Sequence, residues 1–181
     1  MYTFISMLRG INVSGQKMIP MAALKSLYES LNLTNVVTYV QSGNVIFDCT
    51  EGDATQIASS IEAEITRTFG FSVPVLIRDK SCFQRLIEHN PFATQRHEDP
   101  TKLHVTFLAA LPSKLLVGNL VAPISSADEF ILDDKELYLF CPNGYGVTKL
   151  SNNFFERKLS VTATTRNWKT VNALYGIANQ R

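Results

Sequence analysis

Hydrophobic residues in this chain occur both in short continuous runs and at helical spacings. Residues 2–8 form an apolar run that stops at Arg9-Gly10, which is typical of a buried strand followed by a loop. Pro20 then stands where a helix can begin, and apolar side chains recur after it every three or four positions. This apolar helical face consists of Met21, Leu24, Leu27, Tyr28 and Leu31.

The next segment predicts a hairpin, a second helix and a further strand. Residues 36–40 and 44–48 are strand-like runs, and the short Gly-containing connection between them suits a tight turn. Asp53 can cap a helix and Gly70 can end it. One face of that helix carries Ile57, Ile61, Ile65 and Phe69, and residues 73–77 favour a strand. The resulting order is that of the split β-α-β, or ferredoxin-like, domain.

The second half repeats this order with a weaker pattern. Residues 103–109 form an apolar strand-like run, and Pro112-Ser113 starts a helix that contains Leu115, Leu116 and Leu120. The remaining elements are predicted at residues 129–132 and 137–141 as strands and at residues 151–159 and 167–180 as helices. The two halves share this order but little sequence identity, which is compatible with a structural duplication.

We therefore predict an α+β protein with two similar ferredoxin-like (split β-α-β) subdomains in tandem. Its sheets are expected to be mostly antiparallel, with helices on one face. The predicted subdomains are residues 1–90 and residues 102–181, and the second includes the C-terminal helix. A polar stretch with two prolines, residues 91–101, is expected to be an exposed connector between them.

Composition limits the classes of function. The chain has 181 residues, with 17 Lys and Arg against 16 Asp and Glu, so its net charge of +1 excludes a protein that coats polyanions along its whole surface. The charge is unevenly distributed, however. Residues 145–181 hold six positive side chains and one negative, a net charge of +5, and the remainder has eleven positive and fifteen negative, a net charge of −4.

Apolar runs and cysteines indicate the compartment. No run approaches the roughly 18 apolar residues of a membrane-spanning helix, and the first residues lack the pattern of a signal peptide. Cys49, Cys82 and Cys141 show no CxxC spacing and are expected to be free, buried thiols in a reducing environment. These features predict a cytoplasmic protein without a membrane partner.

The first candidate ligand site is the loop at residues 9–17. It leaves a strand and enters a helix, where backbone N–H groups can receive an anion, and its candidate ligand-binding residues are Arg9, Gly10, Asn12 and Lys17. The loop does not match GxxxxGK[ST] or GxGxxG. The alternative is a purely structural loop whose glycines serve turns.

The second candidate is the hairpin connection, in which Gln41, Ser42 and Asn44 offer polar groups between two apolar strands. A ligand at the end of the sheet could use these groups. A tight hairpin needs such residues in any case, so the structural explanation is sufficient by itself.

The third candidate is residues 162–170, which are interpreted as leading into a helix N-terminus. Its candidate ligand-binding residues are Arg166, Asn167, Trp168 and Lys169, and Asn167 is one of the possible helix caps. Cations beside an aromatic ring suit a nucleotide or a single-stranded nucleic acid. The alternative is that Trp168 packs the last helix onto the sheet while Arg166 pairs with a carboxylate.

Recognised catalytic and metal-binding patterns are missing from the sequence. His89, His97 and His104 lack ligand spacing and are interpreted as surface residues, so no metal and no cofactor are expected. There is no GxSxG motif and no evident acid–base pair. Catalytic residues therefore stay unassigned.

Four ordered motifs resemble the bacterial family known as domain of unknown function 1697. The motifs are Leu8-Arg9-Gly10-Ile11-Asn12-Val13, Gln41-Ser42-Gly43-Asn44-Val45, Asn90-Pro91-Phe92 and Thr164-Thr165-Arg166-Asn167-Trp168. The resemblance spans essentially the whole chain and implies a small cytoplasmic α+β protein with two similar subdomains. It implies no activity. Ser14 stands where many relatives have Gly.

These observations favour a binding module for an anionic ligand, either a phosphate-bearing small molecule such as a nucleotide or a single-stranded nucleic acid. The site is expected at the interface of the two subdomains, with Arg9, Lys17, Arg166, Trp168 and Lys169 as its main groups. Two alternatives stay open: a small-molecule enzyme with an Arg-lined site, and a protein-interaction module. The oligomeric state is not predicted.

Overall fold

The computed structural model of the protein describes residues 1–123 and 127–181. By contacts between residues, it divides into two compact units, of which unit 1 comprises Met1–Gln84 with Ala173–Arg181 and unit 2 comprises Arg85–Asn172. The predicted subdomains, residues 1–90 and 102–181, are segments expected to fold independently. These boundaries stay a prediction.

Unit 1 contains the predicted split β-α-β order. Its elements are β1 (Tyr2–Leu8), α1 (Met21–Ser30), β2 (Thr34–Tyr39), β3 (Asn44–Cys49), α2 (Ala54–Phe69) and β4 (Val75–Asp79), and α3 (Lys80–His89) follows. The four strands form one antiparallel sheet in the order β2-β3-β1-β4. The strand predicted at residues 73–77 therefore begins and ends two residues later than expected.

Local signals set the ends of α2. The Asp53 side chain accepts hydrogen bonds from the backbone N–H groups of Thr55 and Gln56, which is the expected N-cap. Gly70 takes the left-handed conformation at φ 78° and donates its N–H to the carbonyl of Thr66. Both ends were predicted correctly because each depends only on residues within one turn.

The core of unit 1 lies between its sheet and helices α1 and α2. The apolar faces of both helices supply Leu24, Leu27, Tyr28, Ile57, Ile61 and Ile65. Tyr28 is fully buried, and its hydroxyl shares a hydrogen bond of 2.9 Å with the hydroxyl of Ser6. Strand alternation places Val75 and Ile77 on this core face, so Leu76 and Arg78 lie on the opposite face of the sheet.

The second sheet has the same antiparallel arrangement. The elements are α4 (Pro91–Thr94), β5 (Leu103–Leu108), α5 (Lys114–Gly118), β6 (Glu129–Asp133), β7 (Glu136–Phe140), α6 (Asn152–Leu159), β8 (Ala163–Asn167) and α7 (Trp168–Asn179). Single 3₁₀ turns occur at Pro100–Lys102 and Tyr145–Val147. The strand order is β6-β7-β5-β8, which matches that of unit 1 position for position. The predicted fold class is thus confirmed.

The helix expected after residues 162–170 begins within them at Trp168, but Ala163–Asn167 form a strand, β8, which the sequence does not predict. Its threonines and arginine give no apolar alternation in the sequence, yet its residues pair in register with β5. The Thr165 hydroxyl explains the placement, because it bonds to the Thr106 hydroxyl on β5 at 2.7 Å and donates to Asn152 Oδ1 on α6 at 2.6 Å. Tertiary hydrogen bonds therefore stabilise a strand that local pattern does not indicate.

Two further expectations in unit 2 differ from the structure. Leu120 is expected in the same helix as Leu115 and Leu116, but α5 ends at Gly118, and Leu115 is 76% exposed. The stretch expected as an exposed connector includes α4, in which Phe92 is buried. Among the described residues, no helix combines the length and the hydrophobicity needed to cross a membrane.

Candidate functional site

Asn12 organises the loop that follows β1. Its side-chain Oδ1 accepts from the Ile19 N–H at 2.8 Å, and its Nδ2 donates to the carbonyls of Ile19 and Gln41 at 3.0 and 2.9 Å. The amide therefore closes the loop and attaches it to the β2–β3 turn. This structural role accounts for Asn12 without a ligand.

The same loop has an unusual backbone. Gly10, Asn12, Ser14, Gly15 and Lys17 all take positive φ, between 46° and 73°. Glycine adopts this region readily, whereas a residue with a Cβ pays a conformational cost there. Ser14, at φ 51°, thus occupies a position at which glycine would be favoured on backbone grounds.

Gly43 allows the β2–β3 turn to pack on the loop. A Cβ at this position would lie 2.6 Å from Ile11 Cδ1 and 2.9 Å from Leu8 Cβ. Its φ of +74° adds a second requirement for glycine, and its carbonyl accepts from the Leu8 N–H at 2.9 Å. The turn and the loop are therefore in van der Waals contact.

A third segment meets the loop at the same end of the sheet. Lys17 Nζ donates to the Ser72 carbonyl at 2.7 Å, and the Arg9 N–H donates to the Pro74 carbonyl at 2.9 Å. We call residues 9–20, 40–43 and 72–74 the strand-end loops. Together they contain two cationic side chains and no carboxylate.

The predicted residues of unit 1 differ in accessibility. Lys17, Gln41 and Ser42 are exposed, and Arg9 is partly exposed. Asn44 is fully buried, where it donates to the Tyr39 carbonyl and to Ser42 Oγ. The structure thus brings all seven predicted residues of this unit to one end of the sheet, where Asn44 is buried and Arg9, Gly10 and Asn12 are partly exposed.

The predicted residues of unit 2 lie in succession across the end of β8 and the start of α7. Arg166 is 7% exposed, and its Nη1 donates to Thr164 Oγ1 at 2.8 Å and to the Thr165 carbonyl at 2.9 Å. Asn167 Oδ1 accepts from the Thr170 N–H at 2.8 Å and so caps α7. Trp168 is 8% exposed, whereas Lys169 is exposed. That these residues and the strand-end loops form one site stays a prediction.

Sequence reasoning missed Arg78, which is the counterpart of Arg166. Arg78 is 8% exposed and also precedes the last residue of a fourth strand. The signal was present in the sequence, because Arg78-Asp79 and Arg166-Asn167 each lead directly into a helix. Asp79 Oδ1 accepts from the N–H three residues later, at Cys82, as Asn167 does in unit 2.

His104 and Asp48 are among the titratable groups whose pKa values are shifted. Burial lowers the pKa of His104, whose ring stacks on Tyr145 with centroids 4.6 Å apart. The interpretation as a surface residue is thus wrong for His104, which is 8% exposed. Burial would raise the pKa of Asp48, but hydrogen bonds from Asn35, Thr3 and Arg181 outweigh it and the pKa is lowered. Within the described residues no cluster of His, Cys, Asp or Glu suits a metal ion.

Two successive units of split β-α-β order, each with a four-stranded antiparallel sheet, define the chain as a tandem ferredoxin-like α+β protein. The family described as "Protein of unknown function (DUF1697)" matches residues 1–138, and the chain belongs to that family. The predicted membership is thereby confirmed, and the first three of the four motifs lie within the matched residues.

A solved structure supports the fold. The conserved bacterial protein SP0830 from Streptococcus pneumoniae superposes with a TM-score of 0.75 at 20% sequence identity, and the match covers 98% of each chain. At this identity the likeness concerns the fold alone. The comparison with curated proteins found no match.

Proposed function

We propose that the chain binds an anionic, phosphate-bearing ligand at the strand-end loops of unit 1. The observation that carries this proposal is the meeting of three segments that hold Arg9 and Lys17 and no carboxylate. These segments carry a net charge of +2, which attracts anions, and the Glu62 carboxylate accepts from the Val75 N–H at 2.7 Å next to them. Exposed Gln41 and Ser42 add hydrogen-bonding groups beside it.

The ligand classes consistent with this surface are a nucleotide and a single-stranded nucleic acid. Val13 and Met18 are 60% and 58% exposed on the same loop, so an apolar surface lies next in sequence to the cations. The base of a nucleotide offers a matching apolar face. The proposal does not depend on Trp168, which is 8% exposed.

Binding of a nucleoside triphosphate and of a labelled single-stranded oligonucleotide, each measured over a range of salt concentrations, tests the proposal. With two cations at the site, the logarithm of the oligonucleotide affinity should fall with the logarithm of salt concentration with a slope of about −1.4. Preference for one of the two ligands identifies the class. A flat salt response for both would contradict the proposal.

Charge-neutralising variants locate the site. Arg9→Gln and Lys17→Gln should each weaken binding several-fold. The matched control is Lys25→Gln, which removes an exposed cation from α1 in the same unit, where Lys25 lies 3.8 Å from Glu29. Equal losses in all three variants would indicate non-specific attraction and overturn the placement at the loops.

A second candidate function is recognition of another protein. Val13, Met18 and Val40 expose apolar side chains on the strand-end loops, with exposed fractions from 49% to 60%. Association through these side chains would weaken in a Val13→Ser, Met18→Gln variant and would respond little to salt. The salt titration therefore separates the two candidates.

A cytoplasmic location is also part of the proposal. All three cysteines are free and buried, and burial raises the pKa of Cys141 to about 11. Protonated, inaccessible thiols suit a reducing compartment but do not require one. Fractionation of cells that express the protein tests this location.

A further inference from the structure

Unit 2 contains a cavity that the sequence motifs do not include. Its volume is about 470 Å³, within the range of small-molecule sites, and it lies where the chain enters α6. Its lining includes Lys149 and Arg157, whose side chains are both exposed. Both cations belong to the segment whose net charge is +5.

The lining of this cavity holds two cations and no carboxylate. Asp128, which is 8% exposed and is not part of the lining, accepts a hydrogen bond from the hydroxyl of the lining residue Thr148. That hydroxyl also accepts from the Leu150 N–H at 3.0 Å, so Thr148 and Asp128 fix the cavity wall. The accessible charge is therefore positive.

The helix start makes only a small contribution. Ser151 Oγ already accepts from the Phe154 N–H at 3.2 Å, which satisfies one of the backbone donors of the first turn. Recognition of an anion thus falls to the side chains of Lys149 and Arg157, with the exposed Asn153 beside them. An arginine fork and a lysine ammonium together suit a doubly charged group with several oxygens.

An apolar surface adjoins the cations. Pro123 and the ring of Phe154, which is 8% exposed, form part of the same lining. A ligand that placed only an inorganic anion between Lys149 and Arg157 would leave this surface unused. The cavity is therefore suited to an anion that carries a small apolar group.

We propose that this cavity binds the phosphate group of a small organic phosphate, with Arg157 and Lys149 on the phosphate oxygens and Phe154 against the organic part. The site is separate from the strand-end loops in sequence and in its residues. It does not rest on the function proposed for them.

Titration of the full chain with four probes, monitored by ¹H–¹⁵N spectra, tests the proposal. Phenyl phosphate should shift the amide signals of residues 148–157 and bind more tightly than inorganic phosphate, because only the former reaches Phe154. Benzoate should bind more weakly than phenyl phosphate, because it carries one negative charge. Phenol should bind weakest. Equal affinity for phenol and phenyl phosphate would overturn phosphate recognition, and absence of shifts at these amides would overturn the site.

Variants of exposed residues keep the test independent of folding. The double variant Lys149→Gln, Arg157→Gln should weaken phenyl phosphate binding at least tenfold. Lys158→Gln removes the adjacent exposed cation of α6, which does not line the cavity, and should change binding less than twofold. A loss in Lys158→Gln equal to that of Arg157→Gln alone would overturn the proposal.

The strand-end variants complete the design. Arg9→Gln and Lys17→Gln should leave phenyl phosphate binding in unit 2 unchanged. Conversely, the double variant should leave the signals of residues 9–20 responsive to a nucleotide. Failure of either site is thereby distinguished from failure of the other.

Discussion

Arg78 and Arg166 occupy the same position in the two units. Arg78 pairs in register with Ile5 at the centre of β1, and Arg166 pairs with Val105 at the centre of β5. In each arginine, Nη1 donates to the carbonyl of the preceding residue, at 3.0 Å in Arg78 and 2.9 Å in Arg166. Both side chains are more than nine-tenths buried. The repeated geometry indicates a structural role for both.

The first prediction therefore concerns stability. Arg166→Gln should lower the free energy of unfolding by about 2–3 kcal/mol, because a buried guanidinium that donates hydrogen bonds is lost. Arg78→Gln should have a similar effect. Lys169→Gln, which changes an exposed cation, should stay within about 0.5 kcal/mol of the unaltered chain. Urea unfolding measures the stability of all three variants. An Arg166→Gln variant as stable as the unaltered chain would refute the structural role of Arg166.

The second prediction uses two glycines in opposite situations. Gly43→Ala should destabilise the fold by more than about 2 kcal/mol, because the new Cβ would overlap Leu8 and Ile11 and the positive φ is unfavourable for alanine. Gly176→Ala lies within α7, where a Cβ meets nothing within 4 Å, and should stabilise by about 0.5–1 kcal/mol. Thermal unfolding measures the stability of both variants. Equal changes in melting temperature would contradict the different roles of Gly43 and Gly176.

The third prediction concerns the Asn12 side chain. Asn12→Ala removes three hydrogen bonds and should cost about 2–3 kcal/mol of stability. Gln16→Ala, in the same loop, removes an exposed side chain and should change stability by less than about 0.5 kcal/mol. Hydrogen exchange should show faster opening at Ile19 in the Asn12 variant only. Unaltered exchange at Ile19 would mean that the loop closes by other contacts.

The fourth prediction concerns pH. Because the pKa of His104 is lower in the folded chain than its ordinary value, the unfolded chain binds this proton more tightly. Above pH about 6.5, His104 is neutral in both states and does not reduce the free energy of unfolding. As the pH falls from the unfolded pKa towards the folded pKa, the free energy of unfolding decreases. The slope is at most about 1.4 kcal/mol per pH unit.

Urea unfolding at pH 7.5 and pH 5.5 measures this loss. His104→Phe keeps a ring against Tyr145 and removes the titration, so its stability should change less between the two pH values than that of the unaltered chain. An identical pH dependence in both proteins would show that other groups are responsible.

Much of unit 1 was predictable from local pattern. The apolar run of β1, the apolar face of α1 and the caps of α2 at Asp53 and Gly70 depend on neighbours within a few residues. The residues that now lie together in the strand-end loops were identified from the sequence as two separate candidate segments. Their division into accessible and structural members was not predictable, because the hydrogen bonds of Asn12 and Asn44 depend on where the backbone turns.

In unit 2 the sequence determined the order of elements but not β8 or the cavity beside α6. Thr165 and Arg166 are polar, so the sequence gives no sign that they belong to a sheet. They do so because β8 pairs with β5, Thr165 bonds to Thr106, and Arg166 donates to Thr164. Lys149 and Arg157 are eight residues apart, and only the fold places them on one cavity. Hydrophobic period and capping are properties of adjacent residues, whereas burial of polar groups and convergence of charges depend on segments distant in sequence, so the tertiary structure decided those.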